Sequence, residues 1–334
     1  MADLRTNYLG LHLKNPLLAG ASPISREVTL AKRLEDAGVG ALVMYSLFEE
    51  EITHETLRLN YFLERGTESQ PEAQTYLPEP QQILTSADHY LENLRQLKEA
   101  LEIPVIASLN GSTHGGWISL AQNLQAAGAD ALELNIYALP TDSALSSEQI
   151  EKNYVTLIHD VCSSVHIPVA VKLSPYFTAL PHFLERVKKA GASGLVLFNR
   201  FMQPDIDIQT LEVNTRARLS TTADLFLPLR WIALSSPHIK MDYALSGGVH
   251  SGQEMVKGIM VGSTVVQMVS KLLKNGLASA SLVLQEFENW MDQNGYASVD
   301  QLRGVMAENR VEDSAAFERA NYIKALRGYE EKIQ

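Results

Sequence analysis

The sequence predicts an α/β fold, a (β/α)₈ barrel, on three observations: a repeated βα unit, eight short apolar runs, and insertions confined to one end of those runs. An Ala-Gly pair stands ahead of an apolar stretch at Ala37-Gly38, Ala127-Gly128 and Ala190-Gly191, preceding ALVMYS, ALELNI and GLVLFN. Glycine just past a helix end supplies a left-handed cap, so each apolar stretch reads as the strand following a helix. A second punctuation, Ile-Pro, precedes VIASL at Ile103-Pro104 and VAVKL at Ile167-Pro168, a separation of 64 residues against 63 for the last two Ala-Gly pairs. A unit of two βα pairs therefore repeats.

Taken in order, the strands fall near 16–21, 41–46, 104–109, 131–136, 168–173, 194–199, 241–246 and 263–269. They are apolar almost throughout, as parallel strands covered by helices must be. Amphipathic stretches fill the gaps. ADHYLENLRQLKEAL (87–101) carries Leu91, Leu94, Leu97 and Leu101 at helical spacing, and HFLERVKKA and QEMVKGIM behave similarly. Ser146–Gln149 and Ser251–Glu254 have the spacing of capping boxes. Alternating βα units fit a barrel, with a doubly wound sheet as the alternative. The irregular insertions favour the barrel. They follow strand 2 (about 47–84), strand 4 (137–147) and strand 6 (200–225), always at a C-terminal end, the face on which barrels carry their sites. No linker or low-complexity tract divides the chain. It reads as a single domain, with residues 1–304 forming the barrel and 305–334 a helical C-terminal extension, the helical tail beginning at about 299.

The 334 residues carry 28 basic and 39 acidic side chains, a net charge of −11, which argues against a nucleic-acid partner because phosphate binding needs local cationic excess. The single cysteine, Cys162, excludes an intramolecular disulfide and any four-cysteine metal site. No apolar run approaches the roughly 20 residues that span a bilayer, and MADLRTNYLG lacks a signal-peptide core. A cytoplasmic enzyme acting on a small molecule, with no membrane partner, is the expectation.

The clearest chemical signal is Ser246-Gly247-Gly248-Val249 at the end of strand 7, ahead of a helix opening at Ser251. Paired glycines let backbone N–H groups approach an anion, and a helix N-terminus adds positive partial charge. With Val269-Ser270 after strand 8, these loops occupy the usual phosphate position of a barrel; alternatively, Gly247 and Gly248 simply make a tight turn. Lys172 ends an otherwise apolar strand 5. It either places a positive charge beside the pyrimidine edge of a flavin, where negative charge develops on reduction, or forms a structural pair with a carboxylate such as Glu133. Asn135 and Asn199 end strands 4 and 6, either to hydrogen-bond a planar heterocycle or to cap the strands. The HETLR stretch at His54 lacks the second histidine of a zinc-protease helix. Glu49, Glu50 and Glu51 read as a solvated run. Gly111, Gly115 and Gly116 miss the dinucleotide and P-loop spacings. Cys162 reads as a small buried hydrophobe.

These residues together resemble the dihydroorotate dehydrogenase family, and its soluble class more than its membrane-bound one. The resemblance runs from NPLLAGASP to GYASVDQLRG, and is closest in ALELN (131–135), VKLSPYF (171–177) and LSGGVHSGQEMVKGIMVGSTVVQM (245–268). It implies an FMN cofactor on a (β/α)₈ barrel, a homodimer, and a place in pyrimidine biosynthesis. By resemblance, Ala21, Ser22 and Ser46 contact the flavin, Asn135 lies between flavin and substrate, Lys172 faces the ring, and Asn199 contacts substrate. Gly247, Gly248, Val269 and Ser270 hold the phosphate.

The chain also departs from the family. Where the strand-4 loop reads Asn-Leu-Ser-Cys-Pro-Asn, with cysteine as general base, this chain reads Asn135-Ile136-Tyr137-Ala138-Leu139-Pro140. Ala138 cannot accept a proton, Pro140 replaces a substrate-binding asparagine, and Tyr45 stands where strand 2 ends in lysine. Tyr45, Tyr137, His114 and Asp142 are the candidate replacement acids or bases. The expected function is FMN-dependent oxidation of dihydroorotate to orotate, or of a related cyclic substrate, with altered proton abstraction. Two alternatives stand beside it: a catalytically silent flavin-binding regulatory protein, and a cofactor-free, aldolase-like barrel using Lys172 as a Schiff-base amine.

Overall fold

In the computed structural model, which describes residues 1–52, 85–110, 114–214, 218–318, 322–323 and 326–327, the eight expected strands are parallel and close on themselves. They are β1 (Leu17–Ala19), β2 (Ala41–Phe48), β3 (Val105–Asn110), β4 (Ala131–Ile136), β5 (Val169–Leu173), β6 (Gly194–Leu197), β7 (Asp242–Ser246) and β8 (Val265–Met268). Closure excludes the doubly wound alternative: Val266 pairs with Leu17, Gln267 with Leu18 and Met268 with Ala19. Helices pack outside, among them Val28–Asp36, Ser86–Ala100, Ser147–Ser164, Leu180–Lys189 and Gly252–Met260. Gly38, Gly128 and Gly191 all take positive φ, at 101°, 98° and 103°, which is the left-handed cap that the repeated Ala-Gly pairs predict. Ser146 and Gln149 form a full capping box. At Ser251 the geometry differs, because the hydroxyl caps Gln253 and itself donates to the Glu254 carboxylate at 2.5 Å.

Strand alternation divides the side chains between two cores. Leu18, Ala41, Val43, Ile106, Ala131, Ala170, Val196, Ala244 and Val265 fill the barrel interior. Leu17, Leu42, Val105, Leu132 and Leu195 point the other way, into the helix layer. A hairpin of Thr6–Tyr8 with Leu11–Leu13 sends Tyr8, Leu9 and Leu13 into the interior core and stops the N-terminal end of the barrel. Leu9 N–H donates to the carboxylate of Asp242, the first residue of β7, at 2.7 Å. The sequence reading omits this hairpin. Its strands are three residues long and its turn is Leu9-Gly10, both at positive φ, with a leucine where Asn or Asp would signal the turn.

One irregularity decides which side chains reach the barrel mouth. β2 pairs with β3 as Leu42–Val105 and Val43–Ile106, then resumes at Ser46–Ser108, so three residues of β2 advance against two of β3. This bulge reverses the alternation beyond Val43. Ser46 turns inward and its hydroxyl meets that of Ser108 at 2.9 Å. Tyr45 turns into the helix layer, its ring edge-on to Tyr90 at 4.8 Å and beneath the Arg26 guanidinium at 4.5 Å.

The insertion after strand 6 carries an antiparallel ribbon, Asp205–Asp207 with Glu212–Asn214, that the sequence reading does not contain. The tail, read as helical from about 299, opens with the single helical turn Val299–Leu302 and continues to residue 318 with 3₁₀ turns at Glu308–Arg310 and Ser314–Ala316. Residues 53–84, most of the insertion after strand 2 and including the His54 stretch, lie outside the described residues. Among the described residues no helix is long and apolar enough to cross a membrane.

The interior core is small and closely filled. Leu18→Ala, at a fully buried position, is expected to lower stability by about 2–5 kcal/mol, read as a shift in the urea midpoint with unchanged slope.

Candidate active site

Two residues above the apolar layer, the same inward positions become polar. Ser108, Glu133, Lys172, Ser246 and Gln267 follow Ile106, Ala131, Ala170, Ala244 and Val265 by two residues, and Ser46 joins them through the bulge. Glu133 lies at the centre of this layer with 1 % of its surface exposed. One carboxylate oxygen accepts from Lys172 Nζ at 3.0 Å and the other from Gln267 Nε2 at 2.5 Å. A buried carboxylate is tolerated only when opposite charge and hydrogen bonds replace its hydration, and here both are supplied. Asn135 lies two residues further along β4, and its Oδ1 accepts from Asn199 Nδ2 at 2.9 Å.

Over this layer opens a cavity of about 890 Å³, lined by Lys172, Asn199, Gln267, Ala21 and the aromatic residues Tyr176, Phe198 and Phe201. Gly247, Gly248, Val269 and Ser270 line it as well. Gly247 and Gly248 take φ of 102° and 76°, and a Cβ on Gly248 would lie 2.9 Å from Leu225 Cα, so only glycine fits there. Ser220 ties the two loops together. Its N–H and hydroxyl both donate to Ser270 Oγ at 2.8 Å, and its oxygen accepts from Gly248 N–H at 3.4 Å. Backbone N–H and hydroxyl groups thus converge at one end of the cavity, with the Lys172–Glu133–Gln267 group at its floor.

The structure gathers Ala21, Lys172, Asn199, Gly247, Gly248, Val269 and Ser270 around this one cavity. Asn135 joins through Asn199, and Ser46 through the polar layer. Ser22 is buried, with its carbonyl accepting from the Ser25 hydroxyl at 3.0 Å. Of the candidate acids and bases, Tyr45, Tyr137 and Asp142 do not line the cavity. Tyr45 faces the helix layer, where burial pushes its phenol up, opposed by the Arg26 charge. Tyr137 packs its ring on Phe201 at 5.5 Å, and Phe201 meets Tyr176 edge-on at 4.7 Å. Ala138 and Pro140 are exposed and do not line the cavity. Asp142 is exposed and accepts from Ala144 N–H at 2.9 Å; the side chain of His114 lies outside the described residues.

Sequence reasoning missed Gln267 and Ser220. Gln267 had a signal: it is the polar residue of the apolar strand VVQM, in phase with inward-facing Val265. Ser220 had none, standing in an irregular loop.

A closed parallel barrel with its polar groups gathered at the C-terminal mouth, over an aromatic-walled cavity, defines a barrel enzyme. The family model described as "Dihydroorotate dehydrogenase" matches residues 83–291, and the chain belongs to that family of oxidoreductases. It is similar to the chloroplastic dihydropyrimidine dehydrogenase (NADP(+)) of Arabidopsis thaliana, 25% identical over 90% of this chain and 76% of that protein. It is also similar to the catalytic subunit of dihydroorotate dehydrogenase B (NAD(+)) of Thermoplasma acidophilum, 24% identical over 91% of this chain and 99% of the relative. Dihydroorotate dehydrogenase A (fumarate) of Lactobacillus helveticus is 23% identical over 92% and 100%.

Removing one partner of the buried pair leaves the other charge uncompensated. Glu133→Leu is expected to cost about 3–5 kcal/mol in chemical denaturation, and adding Lys172→Met to recover much of that loss. Burial pushes the Cys162 thiol up to about 11, so its alkylation at pH 8 in the native protein should run on the order of a hundredfold slower than that of free cysteine, and reach the free rate on unfolding.

Proposed function

We propose that this protein is an FMN-dependent oxidoreductase that exchanges hydride with a small cyclic, conjugated substrate, dihydroorotate or a relative of it. The observation that carries this reading is the arrangement of one cavity: a glycine-paired cradle at one end and a buried lysine at its floor. The residues present fit FMN. Gly247 N–H and the Ser270 hydroxyl are placed to donate to a phosphate, on loops held together by the Gly248–Ser220–Ser270 bonds, and a volume of about 890 Å³ accommodates a mononucleotide-sized ligand. Lys172 faces the ring end, where its charge favours the anionic reduced form. FMN supplies hydride acceptance and return.

The substrate side rests on Asn199 and Asn135, joined amide to amide, and on the Phe201–Tyr176 wall. The proton accompanying the hydride is moved by a group other than residue 138. Among the described residues the cations lining the cavity each meet a carboxylate: Lys172 with Glu133, Arg200 with Asp224 at 3.6 Å and Arg218 with Asp205 at 3.0 Å. This pairing supports a substrate other than dihydroorotate itself, such as an uncharged dihydropyrimidine. The ion pair with Glu133 weighs against the Schiff-base reading, which needs Lys172 Nζ as a free amine nucleophile. A second reading, a silent flavin-binding protein, is favoured by alanine at residue 138, which has no proton-accepting group. Family membership adds a cytoplasmic homodimer tied to pyrimidine metabolism, with the site held by residues 1–304 and residues 305–334 as an extension.

Anaerobic mixing of the FMN-loaded protein with dihydroorotate and with dihydrouracil, followed by flavin absorbance, tests the reading. Bleaching by either supports turnover, and dihydroorotate should act about 10²–10⁴-fold more slowly than with a positioned general base. Retained flavin that neither compound reduces favours the silent protein, and failure to take up FMN overturns both. Gly248→Ala is expected to weaken FMN binding by at least about tenfold in equilibrium dialysis, a loss of about 1.4 kcal/mol.

A further inference from the structure

The geometry points to Gln267 as the residue that reads the ring of the bound cofactor: its side-chain oxygen accepts an N–H from the cyclic –NH–CO– edge, beside Lys172, which donates to the adjoining carbonyl. This rests on the flavin reading above and adds to it a recognition residue and a chemical requirement on the ligand.

Gln267 is 3 % exposed and stands among Val265, Val266 and Met268 in β8. An amide so placed is costly unless both of its ends are bonded. Only one end is. The NH₂ group donates to Glu133, and since an ionised carboxylate offers no proton, the amide orientation is fixed with nitrogen toward Glu133 and oxygen away from it. That oxygen is buried and has no hydrogen-bond partner among the described residues, while Gln267 lines the cavity. Gly20, just after β1, packs close to it: a Cβ there would lie 3.3 Å from Gln267 Oε1 and 2.9 Å from Val269 Cγ2.

Lys172 occupies the other oxygen of the same carboxylate and also lines the cavity. An ammonium group has three protons, and Glu133 takes one of them. A single carboxylate therefore anchors both a donor, the Lys172 ammonium, and an amide whose oxygen is an unused acceptor, the two groups that complement an adjacent N–H and C=O. The lysine alone would read only an acceptor, and the glycine cradle reads only the phosphate. Gln267 is what separates a ring bearing an unsubstituted ring N–H from one that lacks it.

The test pairs two ligands with two proteins. Flavin-free protein, wild type and Gln267→Leu, is titrated with FMN and with 3-methyl-FMN, in which a methyl group replaces the N3 proton, and affinities are read from quenching of flavin fluorescence. Wild type should bind FMN at least tenfold more tightly than 3-methyl-FMN, and Gln267→Leu should lose affinity for FMN and lose the discrimination. Equal binding of the two ligands by wild type overturns the proposal, as does discrimination that survives in Gln267→Leu. If Gln267→Leu fails to fold by circular dichroism, Gln267→Met takes its place and is judged by the same outcomes. Should wild type bind neither flavin, the redox reading fails first, which is distinct from binding both alike.

Discussion

Inside the barrel a single buried carboxylate, Glu133, accepts from Lys172 at one oxygen and from Gln267 at the other. Three strands, β4, β5 and β8, meet through it. An ion pair this deep contributes little net stability, since desolvation offsets most of the attraction. Its value is positional: it holds a cation and an amide in fixed directions at the base of a cavity whose other walls are apolar rings and irregular loops. The hairpin that stops the opposite end keeps the interior below this layer apolar, with Tyr8, Leu9 and Leu13 packed beneath it. Polar chemistry is thereby confined to the C-terminal mouth.

The bulge in β2 is the second constraint. Without the extra residue, Tyr45 would follow Ala41 and Val43 inward, and a phenol would stand where the Ser46–Ser108 hydrogen bond now lies. With it, the aromatic ring leaves for the helix layer and joins Tyr90 and Arg26. The barrel interior keeps a small hydroxyl pair in place of a ring, and one position of the ladder is left unpaired.

The architecture was legible because parallel strands announce themselves as short apolar runs and because the Ala-Gly and Ile-Pro pairs mark their starts. All eight strands fall where those runs lie. The Lys172–Glu133 pair was also legible as one of two readings, since a lysine in AVKL must find a carboxylate, and the paired glycines marked the strand-7 loop. What could not be read has a physical cause in each case. Period-two alternation holds only while the register does, so a bulge put Tyr45 on the wrong face. The N-terminal hairpin has strands too short to show alternation. The Ser220 bridge depends on how the insertion after strand 6 folds back, which no local pattern encodes.

That insertion has one property of its own. It runs from Phe198 to Leu225 as an unbroken stretch of chain, with the Phe201 ring wall near its start and the Ser220 bridge near its end. The two walls of the cavity are thus parts of one covalent stretch, of which residues 215–217 lie outside the described residues. An anion settling among Gly248, Ser220 and Ser270 bears on the stretch that also shapes the wall against which a second molecule is seated. Any coupling that this stretch carries between its two ends is reciprocal, one occupant altering the other's affinity by the same factor.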